Sequence, residues 1–326
     1  MAEHPPEALP WDWGEGTLMQ ALVELHRVTG EPAYADYYRR WMDHHIAQGY
    51  LVTVSDRCPP AVVALELYRD SCAAPYLEVV ATVLRYLYDE AARSPEGGIS
   101  HFGTVNVFGA TLWLDSLFMF GNVLVRWGEA AGDARALGEY GAQFDIFAAL
   151  LQQSSGWFVH AAHWSGQDPD VYWARGNAWV TASGYEYLRV RTARGETDDA
   201  VAASLHAQVD AAVAAQDPAT GLWWTVVNRP GETYLETSAS ALFALGMARG
   251  IRAGLLDASY RPAVDAAMAG VGARIVDDAL GRPVVTGISG PTTAGTFADY
   301  AAVELGDDIS YGVGAVLFAL VEVSGL

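Results

Sequence analysis

Hydrophobic residues recur with helical spacing from one end of the chain to the other. In the segment GTLMQALVELHRVTG, Leu18, Leu22 and Leu25 lie at positions i, i+4 and i+7, and Gly30 ends the pattern. The segment YADYYRRWMDHHIAQGY continues with the same spacing and ends near Gly49. Strict alternation of apolar and polar residues, which predicts β-strands, is scarce. The chain is therefore predicted to be all-α.

The pairing of two amphipathic helices repeats along the chain. PAVVALELYRD precedes PYLEVVATVLRYLYDEAAR, SLFMFGNVLVRWGEAAGD precedes ALGEYGAQFDIFAALLQQ, WVTASGYEYLRVRTARG precedes DAVAASLHAQVDAAVAAQ, and SASALFALGMARGIRAGLL precedes YRPAVDAAMAGVGARIV. A final helix, YGVGAVLFALVEV, closes the chain. The pairs recur at roughly 45–70 residues, in or above the range of helical repeat units.

The loops after the second helix of each pair share an unusual composition. They read EGGISHFG, SSGWFVHAAHW, TGLWWTVVNRPG and DALGRPVVTG, and they are rich in Gly, Trp and His. This pattern favours helical hairpins closed into a ring, with one functional rim and a pocket at one end. Because no linker interrupts the chain, residues 1–326 are predicted to form one domain.

The charge of the chain excludes several kinds of partner. The formal net charge of the 326 residues is -20, and the chain contains no lysine. A surface this acidic repels nucleic acid and anionic membranes. An anionic small ligand would need a local cationic pocket.

Signals for export, membrane insertion and cofactors are absent from the sequence. The N-terminus MAEHPPEALPWDWGEG has no basic segment followed by an apolar run, and no apolar stretch reaches the roughly 20 residues of a membrane helix. We therefore expect a cytoplasmic protein. Cys58 and Cys72 have no metal-type spacing, and the HExxH, GxSxG and GxxxxGK motifs do not occur. No metal and no cofactor are expected.

Asp115 is the strongest candidate for a catalytic residue. It lies in TLWLDSLFMFG among apolar residues, so its carboxylate is expected to be partly desolvated. Desolvation raises the pKa of a carboxyl group, which suits a proton donor near neutral pH. The alternative is an aspartate that caps the helix beginning at SLFMF. The two interpretations are compatible.

Further ionisable residues lie near loops or helix starts. Asp56 in VTVSDRCPP is a second candidate, although an aspartate before two prolines is also typical of a turn or a cap. His101, His160 and His163 are candidates for ligand contacts, and the alternative for each is a structural or merely exposed histidine.

The segment VYWARGNAWV has the composition of a carbohydrate site. Arg175 offers a planar fork of donors that matches a carboxylate, Trp173 and Trp179 offer faces for a sugar ring, and Asn177 can bind hydroxyl groups. The alternative is that both indoles belong to the core and that Arg175 forms an internal ion pair. Further tryptophans raise the aromatic density expected on the rim, namely Trp11, Trp13, Trp223 and Trp224.

Several of these motifs together resemble one family of enzymes. LPWDWGEG, LWLDSLFM, GWFVHAAHW, WARGNAWV, GLWWTVVNRPGETYLETSASALFALGMARGIRAGLL and YGVGAVLFALVEV resemble the unsaturated rhamnogalacturonyl hydrolases of glycoside hydrolase family 105. More distantly, they resemble the unsaturated glucuronyl hydrolases of family 88. The resemblance runs from Trp11 to the C-terminus and implies an (α/α)6 barrel.

The resemblance also implies a reaction and roles for individual residues. Members of the family act on oligosaccharides that begin with a 4,5-unsaturated uronic acid. An aspartate protonates C4 of the enol ether, water adds at C5, and the hemiketal opens and expels the aglycone. By motif position, Asp115 is that acid/base and Asp56 assists it. The implied substrate contacts are His160, Trp173, Arg175, Trp179, Trp13 and, more weakly, His101.

Two departures from the family pattern bear on the substrate and on assembly. Only about ten residues precede Trp11, where the family usually has a further helix, so we expect eleven barrel helices and a gap that a partner chain, such as a second copy, could fill. The loop GTVNVFGAT is short, and Ala178 stands where glycine is common.

Two other functions stay open at this point. One is an enzyme of the same fold that acts on an enol-ether or glycosylated intermediate of a specialised metabolite. The other is a non-catalytic helical scaffold whose aromatic rim binds a protein.

Overall fold

A computed structural model describes residues 4–105 and 107–325, most of which lie in helices. The long helices are α1 (Trp13–Thr29), α2 (Pro32–Gln48), α3 (Pro60–Ser71), α4 (Ala74–Arg85), α6 (Gly121–Ala131), α7 (Ala134–Leu151), α8 (Ala174–Ala193), α9 (Asp199–Ala215), α10 (Thr237–Arg252), α11 (Arg261–Gly272) and α13 (Ser310–Val323). Two short helices, α5 (Ser116–Met119) and α12 (Phe297–Ala301), lie in the connections. The all-α prediction is confirmed.

The long helices form two concentric layers. Helices α1, α3, α6, α8, α10 and α13 pack side by side in this order, and α13 returns to α1. Helices α2, α4, α7, α9 and α11 pack around this inner ring. The described residues thus supply six inner and five outer helices, as the sequence predicted. None of the described helices is long and apolar enough to cross a membrane.

Small residues allow the inner helices to approach closely. Nearly every residue of α8 and α10 is buried, and these two helices share an extensive interface. At that interface, a Cβ atom on Gly246 would lie 2.8 Å from the carbonyl carbon of Thr181. Because real Cβ atoms do not approach backbone so closely, the helix spacing depends on glycine at this position.

Eight short strands stabilise the loops at one end of the ring. They form four antiparallel pairs: β1 (Leu112–Trp113) with β2 (Ala161–Ala162), β3 (Trp223–Trp224) with β4 (Leu235–Glu236), β5 (Ile275–Asp277) with β6 (Pro283–Val285), and β7 (Ile288–Ser289) with β8 (Leu305–Gly306). Each pair lies in or between the long connections that lead into an inner helix. The strands therefore fix these connections at the N-terminal ends of the inner helices.

Two helix boundaries differ from the sequence-based prediction. The segment SLFMFGNVLVRWGEAA was expected to be one helix, whereas α5 ends at Met119 and α6 begins at Gly121. Helix α4 continues as a π-helix over Tyr86–Glu90. The helix WVTASGYEYLRVRTARG was expected to begin at Trp179, whereas α8 already begins at Ala174.

The opposite end of the ring is closed by ion pairs between inner helices. Arg126 of α6 contacts Glu24 of α1 and Glu186 of α8 at 3.0 and 2.9 Å, and Arg249 of α10 contacts Glu186 and Glu322 of α13 at 3.2 and 3.1 Å. These side chains line a cavity of about 800 Å³. Arg249 also lies in the last turn of α10, where a cation offsets the partial negative charge of the helix C-terminus.

Gly246→Ala tests whether the spacing of α8 and α10 depends on glycine. The added methyl group must displace the backbone of Thr181, and overpacking of this kind costs about 1–3 kcal/mol. We therefore expect a lower free energy of unfolding in urea denaturation followed by circular dichroism.

Gly138→Ala is the matched control, because a Cβ on Gly138 in α7 meets nothing within 4 Å. Alanine there should stabilise the helix by up to about 1 kcal/mol. Equal effects of the two substitutions would contradict the packing argument.

Candidate active site

Connections from across the chain meet above the inner helices and enclose a cavity of about 390 Å³. They follow α2, α4, α7 and α11, and the first turns of α1 and α8 complete the wall. The residues that line the cavity are Trp13, Asp56, His101, Phe102, Phe108, Trp113, Asp115, Trp164, Trp173, Arg175, Trp179, Pro291, Thr292 and Thr293. Of the four loops that were predicted to form one functional rim, EGGISHFG and SSGWFVHAAHW supply lining residues, whereas TGLWWTVVNRPG and DALGRPVVTG supply none.

Asp115 is held at the cavity floor by the strand pair beside it. The Leu114 amide donates to the His160 carbonyl at 2.9 Å, next to the pairing of β1 with β2. Asp115 occupies the N-cap position of α5, but its side chain accepts no capping hydrogen bond. Its Oδ1 is buried without a partner among the described residues. The backbone N–H groups of Asp115 and Ser116 nevertheless interact with this carboxyl group and lower its pKa, so a role at the start of α5 is compatible with a role in the cavity.

Asp56 and His101 lie beside Asp115. Asp56 is in a short 3-10 helix, Ser55–Arg57, and its Oδ2 is 3.7 Å from His101 Nε2. The other ring nitrogen of His101 is 2.9 Å from the Ser116 hydroxyl, and its ring stacks on Trp113 at 4.6 Å. The neighbouring groups therefore fix the orientation of the imidazole between the two carboxyl groups.

The three groups form a coupled acid–base cluster. Burial raises the pKa of Asp115 above its usual range, whereas the charges of His101 and Arg175 lower it. Burial also raises the pKa of Asp56, to about 6; His101 opposes this rise and the Asp115 charge adds to it. Carboxyl groups with raised pKa values retain a proton at a higher pH than exposed ones, so the cluster can donate a proton.

The same cluster has the composition of a metal site. Its ligand atoms, one from each of Asp56, His101 and Asp115, all lie within 4.8 Å of one another. An ion at about 2.0–2.2 Å from each atom would require separations below about 4.4 Å, so the side chains would have to approach one another to bind zinc. That no metal takes part stays a prediction.

Arg175 is committed to the loop opposite the cluster. Its terminal nitrogens donate to the carbonyls of Ser289 and Gly290 at 3.0 and 2.8 Å and to the Thr292 hydroxyl at 3.2 Å. The buried Glu236 carboxylate lies 3.9 Å away. The fork that the sequence assigned to a substrate carboxylate is therefore largely occupied. Nε is the nitrogen that has no partner among the described residues.

The prediction that Asn177 binds substrate hydroxyls is wrong. Asn177 is fully buried and does not line the cavity. Its amide nitrogen donates to the carbonyls of Phe158 and Trp173, and its amide oxygen accepts from the Phe158 amide and from Gln208. All of its hydrogen-bonding capacity serves the fold, because it ties α8 to the preceding loop.

His160 is fixed by a residue that the sequence did not single out. The Tyr300 hydroxyl, from α12, lies 2.7 Å from His160 Nδ1. Burial raises the pKa of Tyr300 well above its usual range, so the hydroxyl keeps its proton and can form a hydrogen bond with Nδ1. Burial lowers the pKa of His160 well below its usual value, and His101 and Arg175 add to this effect. His160 is therefore neutral and supplies no positive charge, and in the tautomer in which the Tyr300 hydroxyl donates to Nδ1 the ring hydrogen lies on Nε2.

Four buried side-chain nitrogens at or behind the cavity wall have no partner among the described residues. Trp113 Nε1, Trp173 Nε1 and Arg175 Nε belong to side chains that line the cavity, whereas His160 Nε2 belongs to a side chain that does not line it. Their side chains are adjacent, since His160 stacks on Trp173 at 4.4 Å and contacts Trp113 at 5.0 Å. The guanidinium of Arg175 lies 4.9 Å from the Trp173 ring. Unpaired buried donors are rare in native proteins, so this cluster indicates a site for a ligand that accepts hydrogen bonds.

The predicted tryptophans divide into two groups. Trp13, Trp173 and Trp179 line the cavity, and Trp13 stacks on Tyr311 at 4.3 Å. Trp11 and Trp223 do not join the rim as expected, because both are buried in the core. Trp11 stacks between Trp41 and Tyr50, and Trp223 donates to the Ala212 carbonyl. Trp224 is half-buried and does not line the cavity.

Several lining residues escaped the sequence analysis. Phe102, Phe108, Trp113 and Trp164 form one aromatic wall, and Pro291, Thr292 and Thr293 face it across the cavity. The aromatic residues lie in or beside loops already noted for their composition, which was a usable signal. Nothing local in PTT distinguishes it from an ordinary turn.

A helical ring with a desolvated carboxyl pair in an aromatic cavity is an arrangement typical of enzymes that act on sugars. The profile of Glycosyl Hydrolase Family 88 matches residues 2–326. The chain belongs to this family.

Individual relatives share the fold at low sequence identity. A structure from Salmonella enterica described as a possible member of the GH105 family is 23% identical, with a TM-score of 0.87 over 96% of this chain and 82% of that one. An unsaturated glucuronyl hydrolase from Bacillus sp. GL1 is 17% identical, with a TM-score of 0.70 over 96% and 86% of the chains. The (α/α)6 barrel is confirmed.

A curated protein shows a shorter match. Protein Atu3128 of Agrobacterium fabrum is 29% identical over 147 residues, which cover 40% of this chain and 60% of that protein. The chain thus spans less than two thirds of this relative.

Tyr300→Phe tests the hydrogen bond that fixes His160. Without the hydroxyl, Nδ1 loses its donor, and the share of the Nδ1–H tautomer should rise. Nitrogen chemical shifts of isotope-labelled histidine measure this change, and His160→Gln assigns the signals. Tyr34→Phe, far from the cavity, is the control. Unchanged His160 shifts in Tyr300→Phe would show that Tyr300 does not set the tautomer.

Proposed function

We propose that this protein hydrolyses saccharides that begin with a 4,5-unsaturated uronyl residue. The observation that carries the proposal is the pairing of two features in one cavity. A carboxyl pair with raised pKa values lies beside a cluster of buried, unpaired N–H donors. The first feature suits protonation of a substrate, and the second suits an anionic sugar.

The donor cluster matches a uronate carboxylate. A carboxylate has about four lone-pair sites, and the cavity lining offers it Trp113 Nε1, Trp173 Nε1 and Arg175 Nε, with His160 Nε2 behind the lining. The two indole N–H groups are neutral, so the anion is bound mainly by oriented dipoles, with Arg175 as the positive charge. Binding would remove the cost of leaving these donors unpaired.

The proposed reaction requires one proton donor and one water. Asp115 transfers its proton to C4 of the enol ether. The π electrons of the C4=C5 double bond form the new C4–H bond, and positive charge develops at C5. Water then forms a bond to C5 and returns a proton to Asp115. The C5–O5 bond of the hemiketal then breaks as C5 becomes a ketone and O5 takes the hydroxyl proton, which leaves a hemiacetal at C1. The C1–O bond to the aglycone breaks as C1 becomes an aldehyde, and the aglycone takes the remaining hydroxyl proton and leaves as an alcohol.

The environments of the two carboxyl groups favour different roles. The Asp115 Oδ1 is buried and unpaired, as a proton donor in a dry site should be. The Asp56 side chain is 27% exposed, so it can contact the water that adds at C5. Once the proton has moved, the ionised pair would stabilise the positive charge that develops at C5. A single acid/base therefore suffices, unlike the two-carboxylate scheme of ordinary glycosidases.

Similar structures support the substrate class. The Bacillus protein is described as an unsaturated glucuronyl hydrolase that is responsible for the degradation of glycosaminoglycan. Another similar structure, with a TM-score of 0.75, is described as UGL with dGlcA-Glc-Rha-Glc. We extend the uronyl specificity of these proteins to this chain, without their particular aglycones.

The direct test is incubation with unsaturated uronyl disaccharides prepared with a polysaccharide lyase. The ultraviolet absorbance of the conjugated enol ether should fall as water adds. Asp115→Asn should lower kcat/KM by about 10²–10⁴-fold, the usual contribution of a general acid. Asp36→Asn removes an exposed carboxylate, 70% accessible, and should leave kcat/KM unchanged. No loss of absorbance across a panel of uronides would contradict the proposal and favour a non-catalytic scaffold.

The pH dependence of kcat/KM gives a second test, because two variants should shift it in opposite directions. A reaction that needs protonated Asp115 slows as the pH rises through the pKa of that group, which burial raises above the usual carboxyl range, so wild-type kcat/KM should decline with rising pH. Asp56→Asn removes a negative neighbour, lowers the pKa of Asp115 and should move this limb to lower pH. His101→Gln removes a group that lowers both pKa values and should move the limb to higher pH. Shifts of the limb in the same direction in both variants would contradict the opposite effects that Asp56 and His101 are proposed to have on the pKa of Asp115.

A further inference from the structure

One side of the cavity is an aromatic wall separate from the main hydrophobic core. Phe102, Trp113 and Trp164 pack with two alanines in a small cluster of their own. Phe108 joins this wall at ring distances of 5.2 Å from Phe102 and 5.4 Å from Trp164. Four aromatic side chains thus surround one side of the cavity without contributing to the barrel interior.

The wall runs from the acid–base cluster to the mouth of the cavity. At the inner end, Trp113 is 7% exposed and stacks on His101, beside Asp56 and Asp115. Phe102 contacts Trp113 at 5.3 Å and is half-buried. At the outer end, Phe108 is 58% exposed. A terminal sugar held at Asp115 would therefore project its leaving group along this wall.

The wall offers no charged partner to that leaving group. Among the described lining residues, the ionisable ones are Asp56, His101, Asp115 and Arg175; the first three form the acid–base cluster, and the terminal nitrogens of Arg175 are engaged by Ser289, Gly290 and Thr292. The opposite face consists of Pro291, Thr292 and Thr293. The net charge of -20 further disfavours an anionic leaving group, which would need a local cation.

The exposure of Phe108 has no structural benefit. Its neighbour Val107 is 77% exposed and Val105 is 42% exposed, so this loop places apolar side chains in water at the rim of the cavity. Contiguous exposed apolar groups beside a cavity mark a binding surface. Aromatic rings at the spacings seen here can receive a further ring by stacking or edge contact.

We propose that the leaving-group side of this cavity is a subsite for an uncharged, planar or apolar aglycone, such as an aryl alcohol. The chemistry that defines it is the juxtaposition of Phe102, Phe108 and Trp164 without a cation. The inference rests on the proposed function, because a leaving group exists only if the protein hydrolyses an unsaturated uronyl glycoside. It narrows that function to glycosides of hydrophobic alcohols, with neutral sugars as weaker substrates and sulfated sugars as poor ones.

The test compares three substrates that share one unsaturated uronyl group. Their aglycones are a phenyl group, a neutral monosaccharide and a sulfated monosaccharide. We expect the highest kcat/KM for the phenyl glycoside and the lowest for the sulfated disaccharide. In the proposed reaction the aglycone leaves after hydration, so its leaving-group ability should contribute little to the rate.

Variants at the rim separate binding from intrinsic reactivity. Phe108→Ala should lower the ratio of phenyl to neutral-disaccharide kcat/KM by about three- to tenfold, the effect of one aromatic contact. Phe108→Arg should raise the relative kcat/KM for the sulfated disaccharide. Leu280→Ala is the control, because Leu280 is an exposed apolar residue, 74% accessible, that does not line the cavity. It should leave both ratios unchanged.

The outcomes distinguish this inference from the proposed function. Activity on the neutral disaccharide with no preference for the phenyl glycoside, or with a ratio that Phe108→Ala leaves unchanged, overturns the aglycone subsite and leaves the proposed function intact. Lack of activity on all three substrates overturns both.

Discussion

The contact that closes the ring, between α13 and α1, determines whether a site exists at all. The cavity combines Trp13 and Asp56 from the start of the chain with Pro291 and Thr292 from near its end. These segments meet because the last inner helix packs against the first, where a Cβ on Gly314 would lie 3.1 Å from the backbone of Leu18. A small residue is thus needed at a point far from the chemistry. The acid–base cluster is therefore a property of the closed ring and not of any single hairpin.

The sequence predicted the helices well because their apolar spacing depends only on which face is buried. Asp115 and Asp56 could also be found, since a carboxylate among apolar residues and one before a helix are local signals. The roles of Asn177 and Trp223 could not be predicted, because core and cavity positions have the same composition within a few residues. Tyr300 contacts His160 across 140 positions, and only the fold brings them together. Likewise, the engagement of Arg175 by Ser289, Gly290 and Thr292 is a tertiary contact without a local signal.

The site shows how a strongly acidic protein can receive an anion without a strongly cationic pocket. Of the unpaired donors, two are indoles and one is a neutral imidazole, and the single guanidinium is offset by Glu236 at 3.9 Å. A more cationic pocket would lower the pKa values of Asp56 and Asp115 and remove the proton that the reaction needs. Oriented N–H groups bind the anion with less of this effect. Substrate binding and proton donation are therefore compatible in one small cavity.

The ion pairs at the far end of the barrel constrain how this chain can change over evolutionary time. Glu186 contacts both Arg126 and Arg249, and Arg249 also contacts Glu322. These ion pairs link α6, α8, α10 and α13 in one network. Reversal of one charge alone would leave two neighbours repelled in a poorly hydrated space. Related sequences that keep the fold would therefore have to change several of these charged residues together, either by reversing their charges or by replacing them with apolar residues. Among the described residues, the aromatic wall of the cavity contains no ion pairs, so single substitutions there would leave no charge unpaired.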